Sequence, residues 1–414
     1  MDFEYDLITV GAGPAGMLAS GLVANCGKKV MLVEKNKTVG KKLSITGKGR
    51  CNITNNCSNE EFLDSVATNK RFLYSSINNF STQDTIKFFN KIGVETKVER
   101  GKRVFPSSDK ASQVVDSLFT FVKNSGCEML NDNVIDIKIL NNKFKKVIFK
   151  SGKYAICKNI LLACGGMSYP KTGSDGYGYK LAQKLGHNII TPKPSLVPLV
   201  SKDAFCKNLQ GLSLRNVQIK LLKNGKTKPI FTGFGEMLFT HFGLSGPLIL
   251  SASSHIKNFE ANKYQIIIDL KPSLSYEQLD KRLQRIFSEN INKDFQNSLG
   301  SLLPKKLIPV IIDISEIPPS YKCNNITKSQ RKNLVNILKE FKVNIFSFRP
   351  IEEAIITCGG VNTKEINPKT MQSKIVDGLF FAGEIIDVDA YTGGFNLQIA
   401  FSTAYTAYLE IIKQ

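Results

Sequence analysis

The chain opens on a glycine-rich turn whose surroundings leave few folds available to it. Residues 5 to 10 (Y-D-L-I-T-V) read as a short buried strand, G-A-G-P-A-G follows with Gly11, Gly13 and Gly16, and a helix is predicted over 14 to 26. A second strand over 29 to 33 ends at Glu34. Strand, helix and strand at this spacing form a βαβ unit, which requires a parallel sheet and a right-handed crossover. The first glycine makes the turn, the second lets a pyrophosphate approach the backbone, and the third allows close helix packing, with Pro14 and Ala15 opening the helix between them. Glu34 stands 23 residues after Gly11, beside Lys35. A carboxylate there accepts hydrogen bonds from ribose hydroxyls and repels a 2′-phosphate. The opening is therefore read as dinucleotide-binding.

With 414 residues the chain exceeds what one core usually serves, so two domains and a possible third are expected. T-P-K-P-S-L-V-P (191 to 198) has three prolines in eight residues and reads as a linker. Beyond it, residues 196 to 270 are strand-like, while 276 to 287 and 327 to 345 read as helices, the latter opened by a capping box at Thr327 and Gln330. Glycine-rich character returns after about residue 355, and a final apolar helix closes the chain. No apolar run approaches the length of about 18 residues needed to span a bilayer, so the protein is expected to be soluble and cytoplasmic, with no membrane partner. Nine cysteines without a C-x-x-C pair and only three histidines suggest neither a metal site nor a disulfide framework.

The segment G-K-K-L-S-I-T-G-K-G-R-C-N-I-T-N (40 to 55) combines glycines, cations and small hydroxyl residues, a composition that cradles phosphates through backbone N–H groups. Together with G-A-G-P-A-G, F-T-H-F-G-L-S-G-P (239 to 247) and F-A-G-E-I-I-D-V-D-A-Y-T-G-G-F-N-L-Q (381 to 398), it resembles the HI0933/YhiN-like flavoproteins over essentially the whole chain. The resemblance implies an α/β fold: a discontinuous glutathione-reductase-like (Rossmann-type) FAD domain, residues 1–190 and 356–414, interrupted by a β-rich subdomain (191–271) and a small helical one (272–355). It implies that Gly11, Gly13 and Gly16 hold the FAD pyrophosphate and Glu34 the adenosine ribose. Lys42, Gly49, Arg50 and Cys51 would lie along the ribityl and flavin, Gly165 at a flavin-side turn, and Gly383 and Glu384 on the ribityl and phosphate side. Gly394, Phe395, Asn396 and Leu397 would present a helix N-terminus to the flavin pyrimidine edge. Ala390 departs from the family pattern, where glycine is commoner, and puts the local turn in doubt. No histidine lies in the 40 to 55 segment, so FAD is expected to be non-covalent. No second dinucleotide fingerprint is present, so NAD(P)H is expected to dock transiently as electron donor.

One activity the resemblance implies is reduction of a uridine of 23S ribosomal RNA, or its assembly precursor, to dihydrouridine by hydride transfer from reduced flavin. Alternatives are a small-molecule flavin oxidase or reductase acting on an amine or enone, and a non-enzymatic flavin-bound redox sensor. For the proton the reduction needs, the candidates are Cys51, beside two cations, and His241. Either could instead be structural, Cys51 as a buried thiol filling its loop and His241 as a satisfied or surface histidine. The formal charge of +21 favours a polyanionic partner, although Lys is abundant throughout. Residues 191 to 355 hold 24 Lys and Arg against 13 Asp and Glu. Lys220, Lys223, Lys226 and Lys228 form a candidate RNA-binding patch there, with Phe231, Phe234 and Phe239 as stacking or core residues.

Overall fold

The continuous apolar stretches near the N-terminus become the centre of a sheet because each is buried on both faces, as parallel strands covered by helices must be. A computed structural model describes residues 4–140, 144–256 and 259–414. Strand β1 (Tyr5–Val10) lies between β2 (Val30–Glu34) and the strand Tyr154–Leu162, parallel to both, with Thr9 opposite Leu32 and Val10 opposite Leu162. Glu128–Asn131 extends the parallel set beyond β2, and Leu379–Phe381, from the far end of the chain, pairs in parallel with Tyr154–Leu162. Val134–Leu140 and Phe144–Phe149 complete the seven-stranded sheet as an antiparallel edge. Helix α1 (Pro14–Asn25) and the C-terminal helix Phe395–Ile411 share the core built on this sheet.

The chain divides into two compact units, Met1–Ser195 with Pro350–Gln414, and Leu196–Arg349. In the second unit a seven-stranded antiparallel sheet runs in the order Phe341–Ile345, Tyr264–Asp269, Ser213–Lys223, Phe231–Thr240, Gly243–Ser245, Leu199–Val200, Ser347–Phe348. The helices Tyr276–Glu289, Ile308–Ser315 and Lys328–Lys339 join that sheet in a single core rather than forming a helical subdomain with its own. The expected helix over 327 to 345 stops at Lys339. Its capping box is present, but F-K-V-N-I alternates buried and exposed residues and becomes the strand Phe341–Ile345. The expected linker is also ordered differently: Ile189–Ser195 is a strand paired antiparallel with Ile356–Val361. Pro192 and Pro194 are tolerated because this ladder has only two strands and its register shifts between Ile190 and Lys193. Among the described residues no helix is long and apolar enough to cross a membrane.

Candidate cofactor site

The three glycines of the opening turn are needed for three different reasons. Gly11 has φ +103°, and a Cβ there would stand 2.7 Å from the carbonyl oxygen of Ala163, so the turn admits no side chain. A Cβ on Gly16 would stand 1.9 Å from the Gly11 carbonyl oxygen, which makes Gly16 the contact between helix and turn. Gly13 differs: its backbone is extended, and a Cβ would meet nothing within 4 Å. The protein's own packing gives no reason for glycine at 13. Gly13 caps α1 with no side-chain hydrogen bond and no acidic residue in the first turn, so the helix presents bare N–H groups to the space a Cβ would enter. That vacant approach fits a dinucleotide pyrophosphate.

Glu34 is buried and holds the turn as well as facing the site. Its Oε2 accepts from the Ala12 N–H at 2.8 Å, and its Oε1 accepts from the Asn36 backbone N–H at 2.8 Å and the Asn36 amide at 2.7 Å. A carboxylate anchored by three donors is fixed at the end of β2, where it would hold the adenosine ribose. Lys35 makes an ion pair of 2.7 Å with Asp175.

The two distant motifs meet. Lys42 Nζ donates at 2.6 Å to both Ser168 Oγ and Glu384 Oε2, and Glu384 Oε1 accepts from Ser168 Oγ at 3.0 Å and from the Thr357 N–H at 2.9 Å. Thr357 Oγ1 accepts in turn from the N–H groups of Met167 (2.8 Å) and Ser168 (3.1 Å). Lys42 and Glu384 thus bind each other and tie the 40 to 55 segment, the turn after Gly165 and the C-terminal motif into one network. Gly166 is required for it, since a Cβ there would stand 2.4 Å from Thr357 Oγ1. Ser168, Thr357 and Asn36 were not anticipated from the sequence; they carry no local motif and are recognised only by their partners.

Thr54 and Asn55 connect the same loop to the start of the last helix. Thr54 Oγ1 donates to Gln398 Oε1 at 2.6 Å, and the Asn55 amide donates to the Gly393 carbonyl at 3.0 Å. Gly394, at φ +96°, caps the helix, and a Cβ there would stand 2.3 Å from the Thr54 carbonyl oxygen. Asn396 folds back on the preceding turn, its Oδ1 accepting from the Ala390 N–H at 2.9 Å and its Nδ2 donating to the Ala390 carbonyl at 2.7 Å. Ala390 is outside the left-handed region, so the departure from glycine costs the turn nothing. Phe395 and Leu397 are half-buried at the helix start, and Gly383 donates its N–H to Thr403 Oγ1 at 2.9 Å. This helix start also lacks a side-chain cap and an acidic first turn, and would offer its N–H groups to the flavin pyrimidine edge.

Arg50 and Cys51 are both engaged within the protein. The Arg50 guanidinium bonds Glu99 and Asp109, with Nε to Asp109 Oδ1 at 2.9 Å, and lies 4.2 Å from the Phe105 ring centroid. Cys51 follows Gly49 (φ +82°) with φ +60° and is wholly buried. Burial pushes its thiol up to about 12 against a smaller opposing hydrogen bond with Thr46. Adjacent free cations would have lowered it. Cys51 has no exposed face, and its burial opposes loss of the thiol proton. His241 is exposed in the second unit, between the strands Phe231–Thr240 and Gly243–Ser245, with its ring 5.0 Å from that of Phe242.

Of the four lysines of the candidate patch, Lys220, Lys226 and Lys228 are exposed and have no carboxylate partner among the described residues, whereas Lys223 is paired with Glu260. Phe239 is fully buried against Phe341 and Phe231 is partly buried, while Phe234 is 60% exposed.

This fold and site define a Rossmann-type FAD-binding protein of the oxidoreductase class. The chain belongs to the HI0933-like family: the HI0933-like protein Rossmann domain matches residues 5–409. It is 32% identical to the ribosomal RNA dihydrouridine synthase of Haemophilus influenzae, over 98% of each chain. It is 30% identical to the 3-dehydro-bile acid delta(4,6)-reductase of Clostridium scindens, over 96% of this chain and 97% of the relative. Among solved structures, 3-ketosteroid-delta4-(5alpha)-dehydrogenase from Rhodococcus jostii aligns with a TM-score of 0.54 and 13% identity, covering 100% of this chain and 98% of the other, a likeness of fold alone.

Proposed function

We propose that this protein reduces a uridine of 23S ribosomal RNA, or of its assembly precursor, to dihydrouridine with electrons from NAD(P)H. The two relatives' names describe chemically similar reductions, since both a 3-oxo steroid with 4,6 unsaturation and a uracil hold a carbon–carbon double bond conjugated to a carbonyl. Bound FAD would relay a hydride from the nicotinamide to the electron-poor carbon of such a bond, which is C6 in uracil. The chain's own contribution is to hold and orient. The N–H groups at Gly13 would hold the pyrophosphate, Glu34 the ribose, and the Lys42–Glu384–Ser168 network would keep the two halves of the site in register. A proton must reach C5. Of the two acids read from the sequence, only His241 has an exposed face through which a proton can be exchanged with water.

The observation that favours RNA over a steroid-like substrate is charge. Between residues 202 and 235 seven Lys and Arg stand against one acid, Asp203. A bile acid carries at most a single carboxylate and has no use for such an excess, whereas phosphate neutralisation is the main source of affinity for RNA. The test is a map of dihydrouridine in 23S rRNA from a strain lacking the gene. The expected result is loss of one site, restored by the wild-type gene. An unchanged map, with NAD(P)H-dependent reduction of a 4-en-3-one by the purified protein, would establish the second reading, a small-molecule enone reductase, which the bile-acid relative favours.

A further inference from the structure

The sheet of the second unit has one face in the core and one in solvent. Leu214, Val217, Ile219 and Leu221 of Ser213–Lys223, with Met237 and Phe239 of Phe231–Thr240, point inward and are buried. Strand alternation therefore places Asn216, Gln218, Lys220, Phe234 and, on Phe341–Ile345, Lys342 on the other face. Phe234 is 60% exposed, more than any other large hydrophobic side chain described, and it stacks on no aromatic ring among the described residues. Gln218 lies directly opposite it in the ladder. Asn216, Gln218 and Phe234 line an open depression of about 480 Å³ with Pro272 and Ser273. Neither the Asn216 nor the Gln218 amide bonds any other group among the described residues.

We propose that this open face is a docking site for single-stranded RNA, in which Phe234 stacks on a base, the Asn216 and Gln218 amides meet the base edge, and Lys220 and Lys342 meet flanking phosphates. A lone exposed ring sharing a depression with two unpartnered amides matches the way unpaired bases are bound: the ring takes the π-face and the amides the hydrogen-bonding edge. Lys220 follows Gln218 on the same face at a separation of about 7 Å, within reach of the phosphate next to a stacked base. The face carries two acids. Asp269 is engaged by Lys339 at 2.6 Å, and Glu236 lies two residues beyond Phe234. The surrounding cation excess outweighs them and selects a polyanion over a second protein. Because A-form RNA turns its bases inward, a stacking ring reads single strands and ignores duplex. The inference rests on the rRNA reading for the identity of its ligand but not for its test.

The test uses the full-length FAD-loaded protein and a fluorescein-labelled unstructured 12-nucleotide RNA, alone and annealed to its complement, with binding followed by anisotropy. The single strand is expected to bind more tightly than the duplex. Phe234→Ala should weaken it about tenfold, the loss of one stacked base, with flavin absorbance and melting temperature unchanged, and Phe234→Tyr should restore it. Equal affinity of wild type and Phe234→Ala, or equal affinity for duplex, overturns the proposal. So does a Phe234-dependent self-association with no effect on RNA, which would make the face a contact between copies. The rRNA map separates the two ideas: an unchanged map with Phe234-dependent binding keeps the face and removes the substrate. A lost site that Phe234→Ala restores fully, with normal RNA binding, does the reverse.

Discussion

At the scale of single residues, Gly13 and Gly16 look equivalent in the motif and are opposites in the structure. A Cβ at 16 collides with the Gly11 carbonyl at 1.9 Å, while one at 13 meets nothing. Gly16→Ala should therefore destabilise the protein itself, with apo and loaded forms both losing melting temperature. Gly13→Asp should leave the melting temperature of the apoprotein near wild type and remove the yellow colour, because a carboxylate would occupy the pyrophosphate's approach and repel its charge. Yellow, FAD-loaded Gly13→Asp would refute the assignment. Cys51 makes a second pair of expectations. An unfolded thiol titrates near about 8.5, and burial raises the folded one to about 12, so the folded state keeps a proton that the unfolded state loses. The stability this contributes is complete below about pH 8.5 and is lost as pH rises toward the folded value. Urea unfolding at pH 7, 9 and 10 should show Cys51→Ala losing less stability across that range than wild type, with turnover retained. Slowed turnover with unchanged FAD content would return Cys51 to the acid role.

At the scale of elements, what the sequence makes legible is what depends on neighbours in the chain. The βαβ opening can be read because turn, helix start and acidic stop lie within one local pattern. The box at Thr327 can be read because it closes over three residues, with Gln330 N donating to Thr327 Oγ1 at 3.2 Å. The end of that helix cannot be read so easily. Lys328–Lys339 and F-K-V-N-I form one polar and apolar run, and the switch to strand at Phe341 comes from pairing with Tyr264–Asp269, in which Val343 faces Ile266. Ile189–Ser195 is likewise a strand only because Ile356–Val361 lies beside it, more than 150 residues away in sequence. The site divides in the same way. Glu34 and the glycines are visible in the motif, whereas Ser168, Thr357 and the Lys42–Glu384 pair depend on contacts between segments separated by 27 to 342 positions. Arg50 shows the converse, a residue of the motif whose side chain is taken up by Glu99 and Asp109, neither of which the motif contains.

At the scale of the whole molecule, the formal charge of +21 is either a property of one surface or of the composition everywhere, and the two have different consequences. If phosphate contacts are concentrated in the second unit, the logarithm of the RNA association constant should fall linearly with the logarithm of salt concentration, with a slope of about −0.7 for each contacted phosphate of a single strand. Replacing Lys220, Lys226 and Lys228 together by alanine should then flatten the slope by about 2, because these exposed cations have no carboxylate partner among the described residues and lose no internal contact. The control is the triple replacement of Lys87, Lys91 and Lys180, exposed lysines of the FAD-binding unit, which removes the same total charge. A located site predicts that the control leaves the slope unchanged and both triple variants retain full flavin absorbance. Equal flattening by the two would mean that RNA senses net charge alone, and the cation excess of residues 202 to 235 would then no longer favour RNA over a small conjugated ketone as the substrate.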